Sequence, residues 1–333
     1  MFYSRLSAGS EGAFMMRSVS LIFAILFAAI LLASLACGNG HCDPSSLLAT
    51  DLWQLRAPRV TSALVVGALL TLAGALLQLL LRNPLADPYV LGVSGGAAAG
   101  ALMSSLWLPA ALSIFGLQAG ALVGALLSTV MLFLLARRSL GTTLLPIAAP
   151  GISLILTGVM ISAGFGALIT LLLSLSPDAQ LRGALFWLMG DLDVDSYGWP
   201  AWIVLLLTGA WSLKTAPQLN VLAHGEATAQ LLGLPVRRLR ITLLLVASLA
   251  TAAAVSLAGA IGFIGLVVPH ALRLVLGNDQ RLLLPASMLA GGAALVFADL
   301  LARTVVAPLQ LPVGVITALI GVPVFLTMLS GRR

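Results

Sequence analysis

The sequence predicts an all-α polytopic membrane protein of about ten spans, on three observations. Hydrophobic residues make up 60% of the chain and charged residues 8%, with a mean hydropathy of +1.10. A soluble domain carries about 25% charged residues and could not cover its surface with so few. The apolar stretches recur at span length, and at about 20 residues per span they leave no room for a soluble domain of any size. All but four of the 17 basic residues fall on one side of the resulting topology; Arg56, Arg59, Arg182 and Arg303 are left on the other. The positive-inside rule makes the basic side the cytoplasm and puts both termini there. The net charge of +6 is therefore a topology signal and does not point to nucleic acid.

Residues 1–17 are polar, with Arg5 and Arg17, and are placed inside. The first span, 19–37, is read as retained in the chain. The only cysteines, Cys37 and Cys42, follow in CGNGHC; a disulfide closing a small ring and two free thiols both fit this spacing. The loop 38–57 leads into Arg56-Ala57-Pro58-Arg59. Spans two and three, 60–81 and 89–108, enclose Arg82-Asn83-Pro84-Leu85-Ala86-Asp87-Pro88. Span four is 117–136. Span five, 147–173, is expected to be interrupted by Pro150, Gly151, Gly158, Gly164 and Gly166. A polar turn, a short apolar piece (Ala184 to Gly190) and Asp191, Asp193 and Asp195 come next. Alternating carboxylates in a loop read as a solvated turn, and no metal site is expected. Span six is 197–213. Ile241 to Pro269 carries no charge, too long for one span and short for two. The positive-inside rule requires two, joined by a tight turn near Ala258-Gly259. Spans nine and ten, 282–302 and 313–330, complete the chain before Arg332-Arg333.

Between spans six and seven lies a polar segment, Asn220 to Arg240, written like a short helix. Gly225 and Glu226 open it, with a carboxylate where a helix N-terminus favours negative charge. Ala227, Ala229, Leu231 and Leu232 are good helix formers. Gly233 is placed as a C-cap and Pro235 stops the helix. A capped helix between two spans is too ordered for a connector, and it reads as a docking element for a cytoplasmic partner.

Several activities are excluded. The glycines at 92, 95, 96 and 100 have no lysine in the phosphate-loop pattern, so the chain has no nucleotide site of its own. Ion-coupled transporters keep ionisable residues at mid-membrane, and here Asp299 is the main exception and lies towards a span end. No intramembrane His/Asp/Glu cluster or Ser-His arrangement suggests a catalytic residue.

With the spans placed, the chain resembles the FecCD-type (BtuC-like) permease family, the membrane subunits of type II ABC importers for iron-siderophores, haem and cobalamin. The matching stretches are Arg56-Ala57-Pro58-Arg59; Gly67 through Gln78; Arg82 to Pro88 with Leu91-Gly92; Phe186-Trp187-Leu188-Met189-Gly190; Gly225-Glu226 with Ala229 and Leu232-Gly233; Gly262 to His270 with Arg273; Ala298-Asp299 with Arg303; and Leu311-Pro312-Val313-Gly314. Two positions depart from the common pattern. Ala57 stands where leucine is usual, and Gln310 where an acidic residue is usual.

The resemblance implies a single permease domain over residues 1–333, in the cell inner membrane, forming a homodimer with the pathway on the two-fold axis. It implies two cytoplasmic ATPase subunits that bind ATP and Mg, no cofactor in this chain, and a periplasmic substrate-binding protein. Ferric siderophore or haem is the expected cargo, with cobalamin the alternative. Gly225, Glu226, Ala229, Leu232 and Gly233 would contact the ATPase, the glycines by close approach and Glu226 by charge. Arg56, Arg59 and Arg303 match the family's binding-protein contacts, although Asp299 and Arg303, four apart on a helix, can also pair locally. Arg182, Phe186, Trp187 and Met189 would border the outer gate.

Overall fold

In the computed structural model, residues 25–38, 41–42, 50–107, 113–141, 150–192 and 198–330 are described. The start of the first span, Asp193, Asp195 and Arg332-Arg333 lie outside them. The described residues form twelve α-helices and one small hairpin. They are α1 (Ile25–Ala36), β1 (Cys37–Gly38), β2 (His41–Cys42), α2 (Thr50–Leu81), α3 (Val93–Trp107), α4 (Ser113–Gly141) and α5 (Pro150–Leu175). There follow α6 (Asp178–Leu188), α7 (Trp199–Ala223), α8 (Glu226–Leu231), α9 (Val236–Ala258), α10 (Ile264–Leu276), α11 (Gln280–Thr304) and α12 (Val313–Ser330). Ten of these correspond to the predicted spans, and α6 and α8 are short helices between them.

Five helices, α2, α4, α5, α9 and α11, have the length and apolar character to cross a membrane unaided. The others fall short for visible reasons. α7 is 25 residues long but carries Lys214 and three tryptophans. α3 begins late, because Pro88–Leu91 is a 3-10 turn capped by the Asp87 carboxylate on the Tyr89 amide. Burial pushes the Asp87 carboxyl up to about 6, and that amide pulls against the shift. α10 has only 13 residues because Gly259 to Phe263 is non-helical, with positive φ at both Gly259 and Phe263.

Two expectations need correction. Span five is a continuous helix through Gly158, Gly164 and Gly166, and the break falls after it, at Ser176-Pro177. Glycine in an apolar helix leaves the backbone hydrogen bonds intact, and lipid offers those groups no other partner. The loop before span two is also shorter than expected. α2 begins at Thr50 and runs through Pro58, which sets Arg56 and Arg59 on a helix.

α2 is the core of the molecule, almost entirely buried, with α7, α9, α10 and α11 packed around it. Close backbone approach drives this packing. A Cβ on Gly74 would collide with the Gly265 carbonyl of α10. On α3 and α4, Gly96 and Gly100 face Gly124 and Gly120 at four-residue spacing, backbone against backbone. Polar side chains bridge the same seams. Thr71 Oγ1 donates to the Ser287 carbonyl at 2.8 Å, and Gln78 Nε2 to the Leu266 carbonyl at 3.1 Å.

Irregular backbone inside a membrane must be satisfied by protein. The non-helical segment before α10 meets that demand. Its Ile261 amide donates to Tyr89 Oη at 2.7 Å. The Asp191 amide donates to the Ala258 carbonyl at 3.0 Å, and the Gly314 amide to the Gly190 carbonyl at 3.3 Å. Gly259 has φ +65, and a Cβ there would strike the Trp187 carbonyl, so the end of α6 lies directly on this segment.

Candidate functional site

The functional features lie at the two ends of the helix bundle. At the outer end, as the basic residues define it, α1, α2 and α11 are tied by a buried ion cluster. Asp299 on α11 is fully buried. Arg59 Nε on α2 donates to one of its oxygens at 2.7 Å, and Arg303 Nε, one turn along α11, donates to the other at 2.9 Å. Arg303 also donates to the Cys37 carbonyl at 3.2 Å and to Ser34 Oγ at 2.7 Å. Arg56 donates to the carbonyls of Leu35 and Ala36 at 2.8 and 3.0 Å. The end of α1 is thus held by two arginines. Cys37 is disulfide-bonded, and its backbone pairs with that of Cys42, the other cysteine of the chain.

These partners alter the expectation for the arginines. The guanidinium groups of Arg59 and Arg303 are nearly inaccessible, and both donate to Asp299. Burying two guanidinium groups is costly unless each is paired, and the Asp299 carboxylate supplies the opposite charge. Of the three, Arg56 retains the most exposure.

Arg59 also reaches towards a cavity. Its Nη1 donates to Gln310 Oε1 at 3.2 Å, and its Nη2 lies 3.8 Å from Asp191. Gln310 and Asp191 both line a cavity of about 890 Å³ between the outer ends of α3, α4, α6 and α9 and residues 308–310. That volume suits a large organic ligand. Arg182, Phe186 and Trp187 form part of its wall. The Arg182 guanidinium sits 5.9 Å from the centroid of the Phe186 ring, within range of a cation–π contact. Three of the four expected gate residues therefore meet in one place. Met189 does not line the cavity; it caps α6 with its side chain exposed. Sequence reasoning missed the amides Gln118 and Gln180, which add polar groups to the wall. Nothing in their local sequence distinguishes them from surface glutamines. No group of His, Cys, Asp and Glu that could hold a metal occurs among the described residues.

At the inner end, α8 is bounded as its sequence suggests, by Gly225 at φ +128 and Gly233 at φ +76. Ala229 is buried against the protein, whereas Leu231 and Leu232 are 89% and 65% exposed. Glu226 has partners within the chain. It accepts from Arg240 Nη1 at 3.4 Å and lies 4.0 Å from Arg82 Nη2. Arg240 is itself buried, while Arg237 and Arg238 are exposed. Just before α8, Asn220 Nδ2 donates to Asp279 at 2.6 Å, and Asn220 Oδ1 accepts the Gln280 amide at 2.7 Å. The bond from Asn220 Nδ2, with that from the Arg281 amide, holds the Asp279 carboxyl below the usual carboxylate range.

A helix bundle with five members long and apolar enough to cross a membrane, a cavity of about 890 Å³ at one end and a capped, apolar-tipped helix at the other fit a membrane transport protein. The chain belongs to the FecCD transport family, which it matches over residues 13–331. It is 44% identical over 285 residues to the cobalamin import system permease protein BtuC of Halobacterium salinarum, covering 84% of this chain and 73% of that one. It is 38% identical over 330 residues to the hemin transport system permease protein HmuU of Yersinia pestis, covering 92% and 95%. Among solved structures, an inward-facing metal-chelate type ABC transporter superposes with a TM-score of 0.81 at 29% identity, over 94% of this chain and 99% of that one.

Proposed function

We propose that this permease, as a homodimer in the cell inner membrane, carries a metal chelate inward, with haem or a ferric siderophore as cargo. The observation that carries this reading is the Arg182–Phe186 pair in the wall of the 890 Å³ cavity. A guanidinium on an aromatic face offers a carboxylate clamp beside a flat apolar surface. That combination matches a planar or aromatic chelate with acidic groups. Two ATPase subunits supply the energy and bind the ATP and Mg, since the chain shows no phosphate-loop pattern. A periplasmic binding protein delivers the cargo to the outer end.

Cobalamin is the second reading, favoured by the 44% identity to a cobalamin import permease. The two are separated by uptake into liposomes holding the permease with its ATPase and binding protein. ATP-dependent uptake of hemin or a ferric siderophore that falls about tenfold in Arg182→Gln, the loss of one charge-assisted contact, supports the first reading. Uptake of cyanocobalamin alone, unaffected by that substitution, would overturn it.

A further inference from the structure

The clasp between α7 and α11 has a role beyond capping. α11 begins at Gln280, and the first amides of a helix have no partner within it. Asp279 satisfies the Arg281 amide at 3.0 Å in the ordinary way. The Gln280 amide is satisfied from another helix, by Asn220 Oδ1, while Asn220 Nδ2 returns a bond to the Asp279 carboxylate. Both ends of one side-chain amide are thus spent on the first turn of α11. Asn220 stands one turn before the end of α7, and only His224 and Gly225 separate that end from α8. The link is short and pinned, because His224 Nδ1 lies 2.8 Å from the Asn220 carbonyl. On its other side, α8 is pinned to α9 through Glu226 and Arg240.

We propose that Asn220 is a positioning residue for energy coupling: it fixes the root of α8 to α11, so that a push on α8 moves α11 as a rod. α11 is a continuous 25-residue helix with Pro285 in its second turn. At 1.5 Å per residue it spans roughly 37 Å. Its far end carries Asp299 and Arg303, which hold α1 and, through Arg59, the cavity-lining Gln310. The inner clasp and the outer ion cluster therefore sit on one continuous helix. This rests on the reading of α8 as the contact for an ATPase.

The test is a reciprocal exchange in the full complex of permease, ATPase and binding protein, reconstituted in lipid. Asn220→Asp sets two carboxylates against each other, whereas Asn220→Asp with Asp279→Asn restores the donor and acceptor pattern. Two quantities are read: hemin moved per ATP hydrolysed, and the ATP-driven distance change between spin labels at Val305→Cys, beyond the outer end of α11. We expect the single variant to lower the first severalfold, since two carboxylates then face each other at an exposed clasp, and to abolish the second, with ATP hydrolysis retained. The double variant should restore both. An unchanged distance change in Asn220→Asp, or failure of the exchange to restore it, would overturn the proposal. If Asn220→Asp does not assemble, Asn220→Ser removes the clasp without repulsion, and an unaltered distance change there overturns it equally. A wild-type complex that shows the distance change but moves no hemin counts against the cargo and leaves the clasp standing.

Discussion

Arg59 and Arg303 share one carboxylate, that of Asp299, each holding a different oxygen at 2.7 and 2.9 Å. The three side chains come from helices at the centre of the bundle and leave almost no surface to solvent. Two guanidinium charges on one carboxylate leave an excess of positive charge. Asp191, 3.8 Å from Arg59, and the carbonyls around Ser34 and Cys37 disperse it. The cluster is thus the fastening of the outer end, and its electrostatics set what can be changed there.

Asp299→Asn should be the most destabilising single substitution at the outer end. Removing one partner of a buried ion pair costs about 3–5 kcal/mol, because the remaining charge stays in low dielectric. Two arginines lose their counter-ion here. Thermal unfolding of the detergent-solubilised protein should show a large fall in midpoint. A midpoint within a degree or so of wild type would mean that the cluster is hydrated and worth little.

The three outer arginines should separate in their effects. Arg59→Gln and Arg303→Gln remove buried bonds and should lower thermal stability together with transport. Arg56 donates to the carbonyls of Leu35 and Ala36 and keeps some exposure, so Arg56→Gln should cost less stability. If a binding protein docks at this end, Arg56→Gln should reduce its stimulation of ATP hydrolysis while the midpoint moves little. Equal midpoint losses in all three variants would make Arg56 a structural residue as well.

The legible parts of this molecule are those written locally. The glycines that bound α8, Gly225 and Gly233, and the Asp299–Arg303 pair are each set by residues a few positions apart, and the sequence places both; the Asp87 cap on Tyr89 is just as local but goes unread. Arg59 and Asp299 are 240 positions apart, and Asn220 and Asp279 are 59 apart. In an apolar chain no periodicity marks such partners, because the helices around them are hydrophobic on every side. Docking roles for Arg59 and Glu226 come from the family resemblance, and their partners within the chain, Asp299 and Arg240, are not legible in the sequence. Span five illustrates the opposite error. Glycines read as breaks are tolerated in a continuous helix, and their purpose depends on what lies opposite.

Opposite Gly164 and Gly166 lies open space, with nothing within 4 Å of a Cβ at either position. Most of the apolar face of α5 is likewise uncovered. If the two-fold axis of a homodimer passes here, the paired variant Gly164→Leu with Gly166→Leu should weaken dimerisation while leaving the monomer fold intact. Overpacking costs about 1–3 kcal/mol per site. Light scattering of the protein in detergent should then report a lower dimer fraction. An unchanged dimer would place this face against lipid.

The tip of α8 offers the sharpest test of partner contact. Leu231 is 89% exposed and Leu232 65% exposed, on a helix of six residues whose own Ala229 is fully buried. Two adjacent leucines in water stabilise nothing in the free chain. Each gives about 1.5–3 kcal/mol when fully buried. Leu231→Ser with Leu232→Ser should therefore leave thermal stability unchanged and weaken ATPase binding by about a hundredfold, since about 1.4 kcal/mol is tenfold in affinity. Pull-down of the ATPase and titration of its activity by solubilised permease read the loss directly. Retained affinity would move the contact away from α8, towards the exposed Arg237 and Arg238. Reversing those two charges would then be the variant that releases the partner.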